Sequence, residues 1–263
     1  PIYIACDRNR QVHVVPQLIA STPDEFRSIV RLFQENGYRE ADINLGCPFP
    51  MQVRAHRGSG LLRYKEEAES LLRTIEEFPD ISFSVKMRLG WECADESFVL
   101  LSLLNKLPLK HITLHPRLGI QQYKGAIDWD GFSRFYEECK LPLYYNGDLV
   151  GLEDIRGIKE RFPGLAGLML GRGLLASPWL ATEFVSGQVL TVNERRDKLV
   201  MFHESLMDEY AARLEGGEHQ VLSKMKTIWD YLLPEADKRL RKKVLKSTSL
   251  TSYQSAVKDL LSL

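Results

Sequence analysis

The sequence predicts an α/β fold, a (β/α)8 TIM barrel followed by a small all-helical domain. Short apolar runs alternate with amphipathic helical segments, which predicts parallel strands joined by right-handed crossovers. Almost every predicted strand ends in polar residues. In a barrel such residues converge on one face, whereas an open doubly wound sheet gathers its ligand at a single switch point. The polar strand ends therefore favour the barrel over the open sheet.

Composition predicts a soluble, cytoplasmic protein. The chain has 263 residues, of which 44% are hydrophobic and 27% charged, with a formal net charge of zero. No apolar run approaches the roughly 18 residues of a membrane span, and no signal-peptide pattern opens the chain. The four cysteines include no C-x-x-C pair, which argues against a disulfide scaffold or a metal site. We expect a monomer without metal or membrane.

The first predicted elements are two strands and a capped helix. Residues 2–5 and 13–20 are strand-like. Thr22 suits the N-cap of the following helix, with Pro23 as its first residue and Glu25 as the capping-box partner. The apolar side of this helix comprises Phe26, Ile29, Val30 and Phe33.

The middle of the chain holds the remaining predicted strands and their helices. Strands are expected over residues 41–45, 82–89, 111–117, 141–148 and 165–173. Helices are expected over residues 61–75, 98–104 and 152–162, and from the Ser177-Pro178 pair. About seven strands result where a closed barrel has eight, so we expect an N-terminal strand or two to be missing from this chain.

From about residue 189 the chain is predicted to be helical. Asn193 suits the N-cap of a long helix that the Gly216-Gly217 pair interrupts, and further helices follow over residues 219–232 and at the end of the chain. Basic residues are densest over 238–246. A solvated helix face explains such a run, and so does contact with nucleic-acid phosphates.

A thiol follows the strand at 41–45. Cys47 lies in a tight Gly-Cys-Pro turn, and Pro48 fixes the backbone after it. A thiol on a strand-end loop is placed for chemistry rather than for packing. The loop that follows is basic and carries glycines, namely Arg54, His56, Arg57, Gly58 and Gly60.

The last two strand ends carry glycines suited to a phosphate. They are Asn146-Gly147-Asp148 and Gly171-Arg172-Gly173. Glycines let backbone N–H groups approach a phosphate, and the arginine can pair with it, in the loops that commonly bind phosphate in such barrels. Lys86 and His115 end neighbouring strands, where they would stabilise negative charge at the N1–C2=O edge of a flavin. The spacing alone indicates a phosphate-bearing cofactor and leaves its identity open.

Six segments, in order and spacing, resemble the tRNA-dihydrouridine synthases. They are residues 42–48, 58–62, 84–91, 114–117 with 123–125 and 128–129, 146–148, and 170–173 with 177–179. The match runs from about residue 16 to 179, and a looser one continues through the helical tail. The resemblance implies an FMN-binding TIM-barrel catalytic domain over 1–188 and a helical tRNA-binding domain over 189–263, with NADPH as the reductant.

The resemblance also implies a role for each matching residue. Cys47 would be the general acid: reduced flavin delivers hydride to C6 of a uracil while the thiol, still protonated at neutral pH, protonates C5 from the opposite face. The flavin ligands would be Gln17, Lys86, His115, Asn146, Gly147, Asp148, Gly171 and Arg172. The substrate nucleotide would meet Asn44, Arg88 and Arg117, and the RNA would meet Arg54, Arg57, Lys224, Lys226, Arg241 and Lys242.

Two departures and two alternatives accompany the resemblance. Pro116 stands where the family has glycine, which stiffens the loop holding Arg117. The family's opening Pro-Met-x-Gly-x-Thr-like segment is not found, so we expect it to be truncated or to lack order. The alternatives are a catalytically idle RNA-binding protein on this scaffold and an FMN-barrel oxidoreductase of a small substrate such as dihydroorotate. Cys47, Lys86 and His115 argue against the first, and the basic tail argues against the second.

Overall fold

The computed structural model describes residues 12–261, and the strand predicted over residues 2–5 lies outside them. Six strands form one sheet: β1 (Gln17–Leu18), β2 (Glu40–Leu45), β3 (Ser82–Gly90), β4 (Leu109–Leu118), β5 (Leu143–Asn146) and β6 (Gly167–Met169). Each pairs in parallel with the next, in chain order. A doubly wound sheet reverses its strand order, and the described sheet does not. The strand order is that of a (β/α)8 barrel, so the predicted fold class is confirmed.

The chain divides into two compact units. The first comprises the described residues up to 147 together with 162–169, and the second comprises 148–161 and 170–261. The helices of the first unit are α1 (Pro23–Glu35), α2 (Pro50–Arg54), α3 (Lys65–Arg73), α4 (Asp95–Leu104) and α5 (Trp129–Glu138). The second unit begins with α6 (Leu152–Arg161) and continues with α7 (Arg172–Ala176), α8 (Leu180–Ser186), α9 (Val192–Arg213), α10 (Gly217–Ile228), α11 (Lys238–Lys246) and α12 (Leu250–Leu261). The domain boundary at 188/189 stays a prediction.

The two faces of the sheet differ in polarity. One face is apolar and packs on helices: Phe26 of α1 lies 5.6 Å from Phe83 of β3, and Phe132 of α5 lies 5.1 Å from Tyr145 of β5, between ring centroids. Burying each large apolar side chain contributes roughly 1.5–3 kcal/mol. The strand residues that alternate with the apolar ones are polar, namely Asp42, Asn44, Ser84, Lys86, Arg88, His111, Thr113 and His115. Barrel interiors are ordinarily filled by branched apolar side chains, so this polar face marks the side that serves a ligand.

The first elements differ from the prediction in two details. Thr22 Oγ1 accepts a hydrogen bond from Glu25 N at 3.3 Å, as expected of an N-cap. The Glu25 carboxylate, however, accepts hydrogen bonds from Ser21 N and Ser21 Oγ rather than from Thr22 N. The prediction that Glu25 forms a capping box with Thr22 is therefore wrong. The strand expected over 13–20 is only the two residues of β1.

Other element limits also differ. The helix expected over 61–75 is divided into a 3₁₀ turn at Gly58–Arg63, helix α3 and a second 3₁₀ turn at Thr74–Glu77. The strand expected over 165–173 is only the three residues of β6. Helix α9 is capped by Thr191 rather than by Asn193: Thr191 Oγ1 accepts from Glu194 N at 3.3 Å, and the Glu194 carboxylate accepts from Thr191 N at 2.7 Å. This reciprocal capping box satisfies two N–H groups and outcompetes Asn193.

The tail of the second unit is helical, as predicted. Its core surrounds Trp229, whose Nε1 donates to Tyr253 Oη at 2.8 Å, and His203 Nε2 lies 2.8 Å from the same hydroxyl. Burial raises the pKa of Tyr253 to about 12 and lowers the pKa of His203, so this cluster is neutral at pH 7. Within the described residues, no helix has the length and apolar character needed to cross a bilayer.

Candidate functional site

The backbone around Cys47 is held on both sides. Asn44 Oδ1 accepts hydrogen bonds from Gly46 N at 3.0 Å and from Cys47 N at 2.9 Å. The Cys47 carbonyl accepts from Ser59 N at 3.1 Å and from Ser59 Oγ at 3.0 Å. The thiol itself is free and half-buried. We call residues 46–60 the Cys47 loop; it presents the thiol at the carboxyl end of β2 in a fixed position.

Two glycines let the Cys47 loop close on itself. Gly58 has φ +58°, and a Cβ there would lie 2.6 Å from Cys47 O and 2.8 Å from Cys47 Cβ. A Cβ on Gly60 would lie 2.7 Å from Val53 Cα. Only glycine fits either position, because one needs a left-handed backbone and both touch neighbouring backbone. The Gly-Ser-Gly segment therefore fixes the thiol.

A chain of hydrogen-bonded polar side chains holds Asn44 in position. Asn44 Nδ2 donates to Gln17 Oε1 at 2.8 Å, and Gln17 Nε2 donates to Asp42 Oδ2 at 2.7 Å. Ser84 Oγ donates to the other oxygen of Asp42 at 2.7 Å. Sequence reasoning missed Asp42 and Ser84, although both alternate with apolar residues on their strands. Gln17 and Asn44, expected at the flavin and the uracil, are linked through this chain to the Cys47 backbone.

Lys86 lies in register with Asn44 on one side and with Thr113 on the other. Burial lowers the pKa of Lys86, and the charge of Arg88 lowers it further. Between residues 12 and 261 the Lys86 ammonium has no hydrogen-bond partner, and Thr113 Oγ1 and His111 Nδ1 are buried without one. Buried polar groups ordinarily have hydrogen-bond partners, so these three groups can still form hydrogen bonds with a ligand.

His115 lies in β4, three residues before its end, and Asn146 is the last residue of β5. Asn146 Nδ2 donates to Met169 O at 2.8 Å, which joins β5 to β6. Gly147 has φ +150°, and a Cβ there would lie 3.3 Å from His115 Cδ2 and 3.1 Å from Tyr145 Oη. The backbone of Gly147 therefore closes against His115. Together with the free Lys86 ammonium, this donor set fits the anionic edge of a flavin ring.

The remaining residues predicted for the phosphate lie in the second unit. Arg172 Nη2 donates to Asp148 Oδ1 at 3.3 Å, and both side chains are about half exposed. A Cβ on Gly173 would lie 1.9 Å from Leu149 O, so this glycine serves loop packing. At Gly171 no atom of the described residues lies within 4 Å of a Cβ position, so its backbone is open. Gly171 therefore leaves room for a phosphate, and Arg172 already has a carboxylate partner.

The two arginines predicted at the substrate nucleotide bind backbone carbonyl groups of loops. Arg88 is 1% exposed; it donates from Nε to Gly46 O at 3.0 Å and from Nη1 to Leu118 O at 2.9 Å. Arg117 is also buried and donates from Nε and Nη2 to Gly125 O at 3.1 and 2.8 Å. Irregular loops leave carbonyl groups without ladder partners, and the guanidinium forks satisfy them. Arg88 in particular joins the Cys47 loop to the end of β4.

The cations predicted to bind RNA divide into free and engaged ones. In the Cys47 loop, Arg57 pairs with both carboxylate oxygens of Glu25, whereas Arg54 is exposed and has no partner in the part of the chain that the structure describes. In the second unit, Lys226 donates to Ser247 O, and Arg241 donates to Leu233 O at 2.9 Å and Trp229 O at 2.5 Å. Exposed cations without partners in the described chain are Lys224 and Lys242.

A family model described as dihydrouridine synthase matches residues 3–261. The tRNA-dihydrouridine synthase B of Klebsiella pneumoniae is 28% identical over 183 residues, covering 67% of this chain and 57% of that protein. The probable tRNA-dihydrouridine synthase of Rickettsia prowazekii is 26% identical over 202 residues, covering 74% and 62%. This chain thus spans less than two thirds of the length of these relatives. Morphinone reductase in complex with tetrahydroNAD aligns with a TM-score of 0.43 at 15% identity, covering 64% of this chain and 49% of that one.

Proposed function

We propose that this chain, which belongs to the dihydrouridine synthase family, is the catalytic part of a flavin-dependent oxidoreductase that reduces a uridine of tRNA to dihydrouridine. The observation that carries the proposal is the Cys47 thiol, fixed through its backbone at the carboxyl end of β2 beside a polar sheet face. The proposal includes tRNA as the partner, a cytoplasmic location and a monomeric state without metal. It also includes the boundary between a catalytic domain at 1–188 and an RNA-binding domain at 189–263.

The proposal assigns the following residues to FMN. Lys86, His115, Asn146 and Gly147 would hold the ring, with Asp148, Gly171 and Arg172 at the phosphate as the resemblance implies. When bound and reduced by NADPH, the flavin supplies the hydride that adds to C6 of the uracil. The Lys86 ammonium, which has no hydrogen-bond partner among residues 12–261, and the close backbone of Gly147 support this assignment.

Cys47 would supply the other hydrogen. Its Sγ–H bond breaks, the proton adds to C5, and the electron pair stays on sulfur as a thiolate, which water then reprotonates. Burial lowers the pKa of both Lys86 and Arg88, and the nearby sulfur of Cys47 acts on each in the opposite direction, so both cations lie near the thiol. Asn44, Ser59 and Gly58 hold the thiol in position, which is the contribution that orientation makes to proton transfer.

Replacement of the thiol tests the proposal. In flavin-loaded protein, Cys47→Ala should lower the rate of dihydrouridine formation in tRNA by about 10²- to 10⁴-fold, the usual contribution of a general acid. Flavin reduction by NADPH should be unchanged. Cys93→Ala removes an exposed thiol and is the matched control. In D2O the wild-type product should carry deuterium at C5. Full activity of Cys47→Ala would exclude the thiol as the acid, and a wild-type protein that binds tRNA without flavin would favour the idle RNA-binding protein.

A further inference from the structure

Helix α2 presents an apolar and cationic surface immediately after the thiol. Phe49 is 57% exposed and Met51 is 65% exposed. These two residues line one shallow depression together with Pro50, Arg54 and Ala55, and we call this group the α2 patch. Two large, exposed apolar side chains side by side are an unusual feature of a surface helix of five residues, and such patches mark binding surfaces.

The α2 patch is held rigidly. Phe49 lies between Pro48 and Pro50, whose rings fix the backbone on either side of it. The Phe49 carbonyl accepts hydrogen bonds from Gln52 N at 2.9 Å and from Val53 N at 3.0 Å. Val53 in turn packs against the backbone of Gly60. The aromatic ring is therefore presented from a fixed backbone, which lowers the entropy lost when a partner binds.

The patch is close to the thiol and carries one free cation. Phe49 is two residues after Cys47, so their Cα atoms are at most about 7 Å apart. Arg54 makes no hydrogen bond or ion pair with the residues that the structure describes, whereas the neighbouring Arg57 is paired with Glu25. The charge of the patch is thus positive and complementary to a phosphate backbone.

We propose that the α2 patch stacks the base adjacent to the target uridine of the RNA. The inference rests on the proposed function. A uridine in folded RNA leaves its stack to reach the site, so its neighbour loses a stacking partner. An aromatic ring, a thioether and a guanidinium together form the surface on which single-stranded bases stack. Phe49 and Met51 provide the stacking surface, and Arg54 binds a flanking phosphate.

Fluorescence tests the stacking independently of the chemistry. A tRNA transcript carries 2-aminopurine on the 5′ or the 3′ side of the uridine that mass spectrometry identifies as reduced. Binding of wild-type protein should quench the fluorescence on one side, Phe49→Trp should retain the quenching, and Phe49→Ala should abolish it. Val99→Ala, which truncates an exposed apolar side chain on α4, should behave as wild type. If wild type and Phe49→Ala quench the fluorescence equally with 2-aminopurine at the 5′ and at the 3′ position, the proposal is overturned. The α2 patch would then be assigned to binding a protein partner.

Kinetics with an abasic neighbour provide a second test. Phe49→Ala should lower kcat/KM for the intact transcript about 5- to 100-fold, the range expected for one stacked base. An abasic site next to the uridine should lower the wild-type value equally and should not lower the variant further, because both changes remove one contact. Losses that multiply for both neighbours would contradict the stacking. A wild-type protein that reduces no uridine would instead contradict the proposed function.

Discussion

The Cys47 loop and helix α11 are both basic in sequence, and the fold engages their cations in different ways. In the loop, Arg57 is neutralised by the carboxylate of Glu25. In the helical unit, Arg241 binds two backbone carbonyls, which satisfy its hydrogen bonds but do not cancel its charge. A carbonyl partner leaves the net charge of the region unchanged, whereas a carboxylate partner removes it. Helix α11 therefore remains strongly positive, and the loop does not.

The two sides of helix α11 differ: one packs on the core, and the other carries exposed cations. Val244 is buried in the core, and Arg241 points to the carbonyls of Trp229 and Leu233. The opposite side carries cations at helical spacing, Arg239, Lys242 and Lys246, which we call the α11 face. None of these three side chains has a hydrogen-bond or ion-pair partner among residues 12–261. This face suits a phosphate backbone through charge alone, whereas the α2 patch suits a base through stacking.

The largest expected effect follows from neutralising the α11 face. Replacing Arg239, Lys242 and Lys246 by Gln should weaken tRNA binding roughly 10²-fold near 0.1 M salt, because about three counterion-releasing contacts are lost. The slope of log K against log salt should become shallower by about 2–3. Fluorescence anisotropy with labelled tRNA at several salt concentrations measures both quantities.

A control with the same change of net charge distinguishes a local contact from a general field. Gln at Arg31, Lys106 and Lys140 removes three exposed cations of the first unit. This variant should keep the wild-type slope. If both triple variants lose the same slope, the α11 face is not a specific contact, and the difference between the two regions disappears.

Arg241 gives the next largest effect, on stability rather than on binding. Arg241→Lys keeps the charge but loses the fork that reaches Leu233 O and Trp229 O. We expect the free energy of unfolding of the helical unit to fall by about 1.5–3 kcal/mol, with the salt slope of tRNA binding unchanged. Urea denaturation followed by circular dichroism measures the first, and anisotropy the second. Arg239→Lys is the matched control and should change neither; a shallower slope for Arg241→Lys alone would place Arg241 at the RNA.

Local patterns were sufficient to predict the alternation of elements and the position of the thiol. The apolar alternation of 41–45 and 82–89 predicted β2 and β3, because one face of each strand packs on helices. The sequence also predicted that Lys86 and His115 lie on neighbouring strands, and they lie on β3 and β4. The extents of β1 and β6 were wrong, because pairing in a ladder depends on the neighbouring strand.

Local sequence patterns could not predict hydrogen-bond and ion-pair partners that are distant in the chain. Arg57 pairs with Glu25, 32 residues earlier, and Lys226 binds the carbonyl of Ser247, 21 residues later. A run of basic residues shows its charge in the sequence but not which side chains have partners. The buried pair of Asp42 and Ser84 was missed for the same reason, although its alternation with apolar residues was visible.

The smallest expected effect comes from releasing Arg57. Glu25→Gln removes its carboxylate partner, so the Cys47 loop should gain one free cation and bind tRNA up to about fivefold more tightly near 0.1 M salt, with a salt slope steeper by about 0.7–0.9. The unfolding free energy should fall by only about 0–1 kcal/mol, because the pair is partly exposed. Glu77→Gln is the matched control: it removes one of the two carboxylate partners of Arg27 on α1, leaves the Asp24 pair in place, and should leave binding unchanged. Equal tightening in both variants would show a general charge effect.

The pH dependence of stability checks the same pair. The Ser21 backbone N–H, together with Arg57, holds the pKa of Glu25 below its usual value of 4.5. A carboxyl whose pKa is lower in the folded state stabilises the fold above its unfolded pKa, and this contribution is lost as pH falls through the folded pKa. The stability advantage of wild type over Glu25→Gln should therefore be present at pH 7 and shrink below about pH 4.5, as urea unfolding at a series of pH values would measure. If the stability difference between wild type and Glu25→Gln stays constant below about pH 4.5, packing rather than charge holds Arg57 against Glu25. The low net charge of the Cys47 loop would then have a cause other than this ion pair.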